Sequence, residues 1–310
     1  MKDTPILVSD RGHQPTRDRI VALFDASSLS GLQTMTAEQR ARIRAIACLF
    51  DPLGTAQFDL LPNLEIVSSF GVGYDHIEAV AAANRGIVVT NTPGVLDDEV
   101  ADTTIGLLLN TIRELPKAET YLREGKWITE GSYPLTNLTL RNRKVGIFGM
   151  GRIGRAIARR LEGFGVPIAY HNRSVVPGCG YKYCRSLLEL AHHVDTLINV
   201  APATPQTQKA VNIDILSALG PDGVFVNVGR GATLVEEDLV TALQREQSPQ
   251  PVWMFTQTSP MSRHPCWQRQ TRAAAPYCFG FKTHPYGDGP TGHRQFGLLV
   301  QQTRGTDARA

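Results

Sequence analysis

Apolar residues recur along this chain in short runs that alternate with segments of helical spacing. Pro5 to Ser9 reads as a strand, and residues 15 to 24 place apolar positions at helical intervals. Ala45 to Phe50 and Leu64 to Phe70 read as two further strands, residues 77 to 84 as a helix, and Gly86 to Gly94 as a strand closed by a Pro-Gly turn. Asp97 to Arg123 has acids in its first turn (Asp97, Asp98, Glu99) and a long apolar stripe, which predicts one long helix leading from a first domain into a second. Glu124 to Arg143, with Trp127, Tyr133 and Pro134, is polar and aromatic: an arm that packs on a second subunit, or a surface loop. Strands then follow at Val145 to Phe148, Val166 to Tyr170, Asp195 to Val200 and Gly223 to Val228, with helical spacing at Arg155 to Leu161 and Glu236 to Arg245. Strands alternating with helices predict mostly parallel sheets in an α/β fold. From Glu246 onward the alternation stops, and Pro, Gln, Arg, Gly and Thr dominate to the end.

The most informative stretch joins a strand, a glycine-rich turn and a helix. Gly149-x-Gly151-x-x-Gly154 follows Phe148 directly and opens the segment Arg155 to Leu161, with Arg152 and Ile153 between the second and third glycines. In that context the first glycine permits the tight turn, the second lets backbone approach a pyrophosphate, and the third allows close helix–strand packing. The helix N-terminus offers N–H groups and a positive dipole end to phosphates. The spacing alone also occurs in ordinary turns; the flanking elements favour a dinucleotide site. The next strand ends in His171-Asn172-Arg173-Ser174, where an NAD site usually carries an acid on the ribose 2′-hydroxyl. A guanidinium and a hydroxyl with no carboxylate suit a 2′-phosphate, so NADP(H) is expected over NAD(H). An ordinary polar strand end is the alternative.

Three further loops follow strands. Gly71-Val72-Gly73 presents bare backbone N–H groups that could hold a small carboxylate, or is a turn into the next helix. Ala201 to Thr207, with Pro202 and Thr207, turns close to the expected cofactor phosphates. Gly229-Arg230-Gly231 sets one Arg between glycines at a strand end, available to a carboxylate or carbonyl oxygen, or else in a surface ion pair.

Composition narrows the class. A length of 310 residues suits two domains, and a net charge of +3 with interspersed signs argues for neither nucleic acid nor a membrane surface. Met1 to Pro5 is not a signal peptide and no run approaches membrane-spanning length, so a soluble cytoplasmic protein is expected. Cys48, Cys179, Cys184, Cys266 and Cys278 have no metal-ligand spacing and read as unpaired thiols. His76, beside the first glycine loop, reads as a structural or surface histidine.

Taken together, Gly71 to Asp75, Asn91-Thr92-Pro93-Gly94, Val100-Ala101-Asp102, Gly149 to Gly154, His171 to Ser174 and Asn227 to Gly231 resemble the D-isomer-specific 2-hydroxyacid dehydrogenases, above all the NADP-dependent glyoxylate/hydroxypyruvate reductase branch. The resemblance runs from about residue 5 to 245. It implies two doubly wound parallel-sheet domains, a flavodoxin-like substrate domain (1–96) and a Rossmann-like cofactor domain (97–245), with a cleft between them and an irregular tail (246–310). It implies that the Val72 and Gly73 amides hold a substrate carboxylate and that Arg230 binds and polarises a small 2-keto acid. The nicotinamide would lie near Thr103, Val228 and Arg230, with Arg173 and Ser174 at the 2′-phosphate and Asn172 and Gly229 also among the cofactor-binding residues, and a homodimer is implied.

The family's Gly-Leu-Asp-Val strand, its catalytic Glu and its Pro-His acid are not found after Glu246. Trp and Met each have a single codon, and reading one base earlier across Trp253-Met254-Phe255 yields Asp-Val. A frameshift near codon 245, in the gene or in its reading, is therefore expected to have replaced the C-terminal quarter, which coding-DNA sequence would refute by an intact frame with no homologous alternative. His264, His284 and His293 match no family motif. Three outcomes are open: an impaired reductase, a cofactor-binding sensor or corepressor-like protein without turnover, and a non-functional product.

Overall fold

The computed structural model describes residues 3–244 and 250–253. The chain forms two compact units that change over between Leu96 and Asp97.

The first unit contains β1 (Pro5–Val8), α1 (Gln14–Leu23), β2 (Asp25–Ser28), α2 (Ala37–Arg42), β3 (Ala45–Cys48), α3 (Thr55–Phe58), β4 (Ile66–Ser69), α4 (Ala79–Ala83) and β5 (Val88–Thr90). All five strands pair in parallel in the order β2-β1-β3-β4-β5, the flavodoxin-like doubly wound arrangement. Successive strand side chains point to opposite faces, so one strand feeds two cores. Leu7, Ile46 and Val67 pack with Leu53, Phe58 and Ile77, while Ile6, Val8, Ala45 and Ile66 pack with Phe24 on the other side. Being covered on both faces is why β1 and β3 read as unbroken apolar runs. The polar edge strand β2, Asp25-Ala26-Ser27-Ser28, gave no such signal.

The second unit contains α5 (Asp97–Ile112), α6 (Leu115–Arg123), α7 (Lys126–Thr129), β6 (Val145–Phe148), α8 (Arg152–Glu162), β7 (Ile168–His171), β8 (Lys182–Tyr183), α9 (Leu187–His193), β9 (Thr196–Asn199), α10 (Ile213–Ala218), β10 (Val224–Asn227), α11 (Glu236–Gln244) and β11 (Gln250–Trp253). Its parallel sheet runs β11-β10-β9-β6-β7-β8. Counted from β6, that is the Rossmann order, with its reversal between β6 and β9. Val145, Ile147, Ala156, Ile157, Leu161 and Leu108 make one core; Phe148, Leu197, Phe225 and Leu190 make the other. Arg143 ties the base of the sheet together. Its Nε donates to Thr196 Oγ1 (2.7 Å), its Nη2 to the carbonyls of Asp195 and Asp222 (2.9 and 2.6 Å), and Asp195 is its ion-pair partner at 2.9 Å.

Two expectations are corrected. The single helix from 97 to 123 is two, because Glu114 adopts φ +50 between α5 and α6. Pro116 lies in the first turn of α6, where its missing N–H is harmless, so it marks the start of a new helix. The stretch after Glu246, read as lacking strands, contains β11, which pairs with β10 from Val224↔Gln250 to Asn227↔Trp253. Pro251 lowers the strand signal in the sequence but is tolerated in an edge strand. The rest of the tail, with His264, His284 and His293, lies outside the described residues.

Candidate functional site

The glycine loop after β6 is fixed by close backbone contacts. A Cβ on Gly149 (φ +106) would stand 2.8 Å from the Ala201 nitrogen, so the loops after β6 and β9 pack backbone to backbone. A Cβ on Gly154 would stand 2.3 Å from the Gly149 carbonyl oxygen, so the first turn of α8 seats on the same loop. A Cβ on Gly151 would meet nothing within 4 Å: the space over this backbone is open. Helix α8 begins at Gly151 with no side-chain cap, leaving its first-turn N–H groups at Arg152, Ile153 and Gly154 without helical partners. The half-buried Ile153 packs on the core, and Arg152 Nε lies 3.3 Å from Asp97 Oδ2 at the start of α5. The other oxygen of that carboxylate, Oδ1, is buried without a hydrogen-bond partner among the described residues. Further along, Arg160 pairs with Asp98 and Asp102, which ties α8 to α5.

The end of β7 is locked to this loop. Met150 N donates to Asn172 Oδ1 (2.6 Å), and Tyr183 donates its hydroxyl to the Asn172 carbonyl (3.2 Å). The His171 ring is turned inward, its Nδ1 2.9 Å from the Cys184 carbonyl and its plane stacked on Phe148. Arg173 and Ser174 are exposed. Between residues 171 and 174 there is no carboxylate, so the strand end offers a cation, an amide and a hydroxyl beside the glycine loop.

The ends of β9 and β10 are braced by a buried polar network that sequence reading missed. Asn199, Asn227 and Thr233 are all fully buried. Asn199 Nδ2 donates to Asn227 Oδ1 (3.0 Å) and Thr233 Oγ1 (2.6 Å), and Ala201 N donates to Asn199 Oδ1 (3.1 Å). Asn227 Oδ1 also accepts from Gly229 N (3.1 Å), while Thr233 Oγ1 donates to the Arg230 carbonyl (2.6 Å). The available signal was an Asn closing each of two adjacent, mostly apolar strands. Gly229 is pressed against Ala201, whose carbonyl oxygen would lie 2.7 Å from an added Cβ. Val228 is buried, and Arg230 is half-buried with Nη1 donating to the Gly229 carbonyl (3.1 Å). In the loop after β9, Thr207 donates its hydroxyl to the Pro202 carbonyl (2.5 Å). Thr103 is half-buried on α5. Gly149, Ala201 and Gly229 are thus gathered at the reversal point of the sheet.

Val72 and Gly73 belong to the first unit, in the loop after β4. Thr92 N donates to the Gly71 carbonyl (2.9 Å) and Asn91 Nδ2 to the Val72 carbonyl (2.7 Å). Beside the loop, His76 Nε2 lies 3.4 Å from Ser69 Oγ and 3.9 Å from Cys48 Sγ. Burial pushes the Cys48 thiol up to about 12. Among the described residues there is no group of His, Cys, Asp and Glu fit for a metal ion, and no helix is long and apolar enough to cross a membrane.

Comparison with known proteins places this geometry. The family model for the D-isomer specific 2-hydroxyacid dehydrogenase NAD binding domain matches residues 105–278, and so extends past residue 245, the expected end of the resemblance in the sequence. The chain is 41% identical to hydroxyphenylpyruvate reductase of Plectranthus scutellarioides over 227 residues, 73% of this chain and 72% of that protein. It is 46% identical to glyoxylate/hydroxypyruvate reductase A of Arabidopsis thaliana over 183 residues, 59% of this chain and 58% of that one. Among solved structures, an NADPH-dependent glyoxylate/hydroxypyruvate reductase from Sinorhizobium meliloti in complex with NADP and malonate superposes with a TM-score of 0.84 at 42% identity, covering 98% of this chain and 94% of that one. Two parallel α/β units, the glycine loop at the sheet reversal and these matches agree: the chain belongs to the D-isomer specific 2-hydroxyacid dehydrogenase family.

Proposed function

We propose that this protein is an NADP(H)-dependent reductase of small 2-keto acids, of the glyoxylate and hydroxypyruvate type, giving D-2-hydroxy acids. The observation that carries the coenzyme choice is the end of β7, where Arg173 and Ser174 stand in place of the acid that would bind a free ribose 2′-hydroxyl. The open space over Gly151 and the uncapped start of α8 fit a pyrophosphate. In this reading Gly149, Gly151 and the first-turn amides of Arg152, Ile153 and Gly154 hold the pyrophosphate, with Pro202 and Thr207 beside it. Asn172, Arg173 and Ser174 take the 2′-phosphate, and Thr103, Val228 and Gly229 border the nicotinamide. When bound, the coenzyme supplies the hydride. Arg230 binds the keto acid and polarises its carbonyl, and the Val72 and Gly73 amides receive its carboxylate. Steady-state kinetics with glyoxylate and hydroxypyruvate test the reading: NADPH supports the higher kcat/KM, and a preference for NADH refutes it.

A second reading, coenzyme binding with little turnover, is favoured by one sequence observation. From Glu246 onward the sequence carries neither the family's catalytic Glu motif nor its Pro-His acid, and His264, His284 and His293 match no family motif, so the protonating pair implied by the resemblance has no counterpart in the sequence. NADPH fluorescence titration beside turnover decides: tight binding with negligible keto-acid reduction supports it, and turnover equal to that of an intact relative rejects it.

For assembly we propose a homodimer. Leu122, Trp127, Ile128 and Leu135 are 60%, 54%, 88% and 96% exposed, an unusual amount of apolar side chain for the surface of one segment. Light scattering should give twice the chain mass, and Ile128→Asp should halve it. The three described cysteines are free thiols, which fits the cytoplasm.

A further inference from the structure

We propose that Asn91 is a positioning residue that aims the Val72 and Gly73 amides at the carboxylate of the substrate. This rests on the reading that those two amides receive the carboxylate. In a trans peptide the C=O and the N–H point in opposite directions, so fixing one fixes the other. The peptide that carries the Val72 N–H has the Gly71 carbonyl, which accepts from Thr92 N at 2.9 Å. The peptide that carries the Gly73 N–H has the Val72 carbonyl, which accepts from Asn91 Nδ2 at 2.7 Å. Both carbonyls are therefore drawn toward residues 91 and 92, and both N–H groups are turned away from that segment, side by side.

Two successive N–H groups facing one way form a concave anion site of the nest type, whereas an extended backbone would alternate them. Of the two tethers only Asn91 uses a side chain, so it alone can be removed without altering the backbone. Val72 and Gly73 are only half-buried, so packing leaves that peptide free to rotate once the tether is gone. The same amide donor polarises the Val72–Gly73 peptide, which makes its N–H a better partner for an anion.

The test measures malonate binding to the full chain, with amide NMR signals of Val72 and Gly73 as the local readout. Asn91→Ala should bind malonate about tenfold more weakly. It should also raise KM for glyoxylate with a smaller change in kcat, and leave the NADPH Kd unchanged. Asn91→Gln, which keeps an amide donor, should recover part of the loss. If Asn91→Ala does not fold, the near-isosteric Asn91→Asp, which sets an acceptor against the Val72 carbonyl, should show the same loss. Malonate that leaves the wild-type Val72 and Gly73 signals unmoved overturns the carboxylate reading and the role of Asn91 with it. A wild type that responds, beside a folded variant that responds equally, overturns the role of Asn91 alone; so does a variant whose NADPH affinity falls in step with its malonate affinity.

Discussion

Replacing Asn227 with alanine tests whether the buried network at the ends of β9 and β10 holds the Arg230 loop in place. The side chain is fully buried, and its Oδ1 accepts from both Asn199 Nδ2 and Gly229 N. Alanine leaves the Gly229 N–H without that acceptor in a spot that water does not reach, which costs about 1–3 kcal/mol. Asn199 Nδ2 keeps Thr233 Oγ1 but loses its second acceptor, worth about 1 kcal/mol more. A loss of about 3 kcal/mol lowers the Tm of a unit of this size by roughly 6–12 °C. Asn227→Asp retains the acceptor oxygen in the same shape and should recover part of that loss at a pH low enough to keep the buried carboxyl protonated. Calorimetry gives the stability, and KM for glyoxylate reports the loop, because Gly229 and Arg230 lose their brace together. An Asn227→Ala chain that melts within about 2 °C of wild type, under the scale just used, would refute the reasoning.

Other perturbations separate the parts. Arg173→Ala should weaken NADPH about tenfold or more while leaving NADH nearly unchanged, since a charge-assisted bond to phosphate is the interaction removed; equal losses for both coenzymes in titration would contradict this. Gly154→Ala puts a Cβ 2.3 Å from the Gly149 carbonyl, and because both sides are backbone the loop must shift; NADPH affinity should collapse and Tm should fall, by about 1–3 kcal/mol of overpacking. Arg143→Met leaves the Asp195 carboxylate and two carbonyls without their shared donor and should cost about 3 kcal/mol, read from urea midpoints, with KM unaffected in the folded chain. Burial holds the Cys48 thiol at about 12, so iodoacetamide at about pH 8 should label Cys179 and spare Cys48 until the chain unfolds.

Much of the coenzyme side was legible because its signals are local. A buried parallel strand followed at once by Gly149-x-Gly151-x-x-Gly154 couples an apolar run to glycines whose need is steric, and the backbone contacts of Gly149 and Gly154 supply that need. What escaped the sequence depends on partners distant along the chain. Asn199 and Asn227 are 28 residues apart and meet only because β9 and β10 are neighbours. Asn91 reaches Val72 across 19 residues because the ends of β4 and β5 lie side by side. Strand β2 is polar because it is an edge, and β11 carries Pro251 for the same reason, so neither has the apolar run that marked the central strands. The break at Glu114 had a written signal in Pro116, but the apolar stripe continues through it and hid the change of direction.

Binding and turnover place different demands on this chain, and its sequence meets them unequally. In the proposed reading, holding coenzyme and keto acid calls on the glycine loop, the β7 end, Arg230 and the Val72–Gly73 amides, all of which precede residue 245. Completing the reduction needs, besides the hydride, a proton for the new alkoxide, and the absence of a positioned general acid typically costs about 10²–10⁴ in rate. Upstream of residue 245, Glu236, Glu237 and Asp238 open α11, where Asp238 already accepts from Ile213 N, and after Glu246 the sequence carries neither the family's Glu motif nor its Pro-His acid. NADPH affinity comparable to that of an intact relative, joined to a kcat lower by this factor, is therefore the expected signature. Solvent pH should shape it as well: with hydronium as proton source, kcat rises steadily as pH falls, without the plateau that a histidine near its usual pKa would impose. A profile that breaks at a defined pKa, bell-shaped or levelling below that point, would show instead that a side chain does supply the proton.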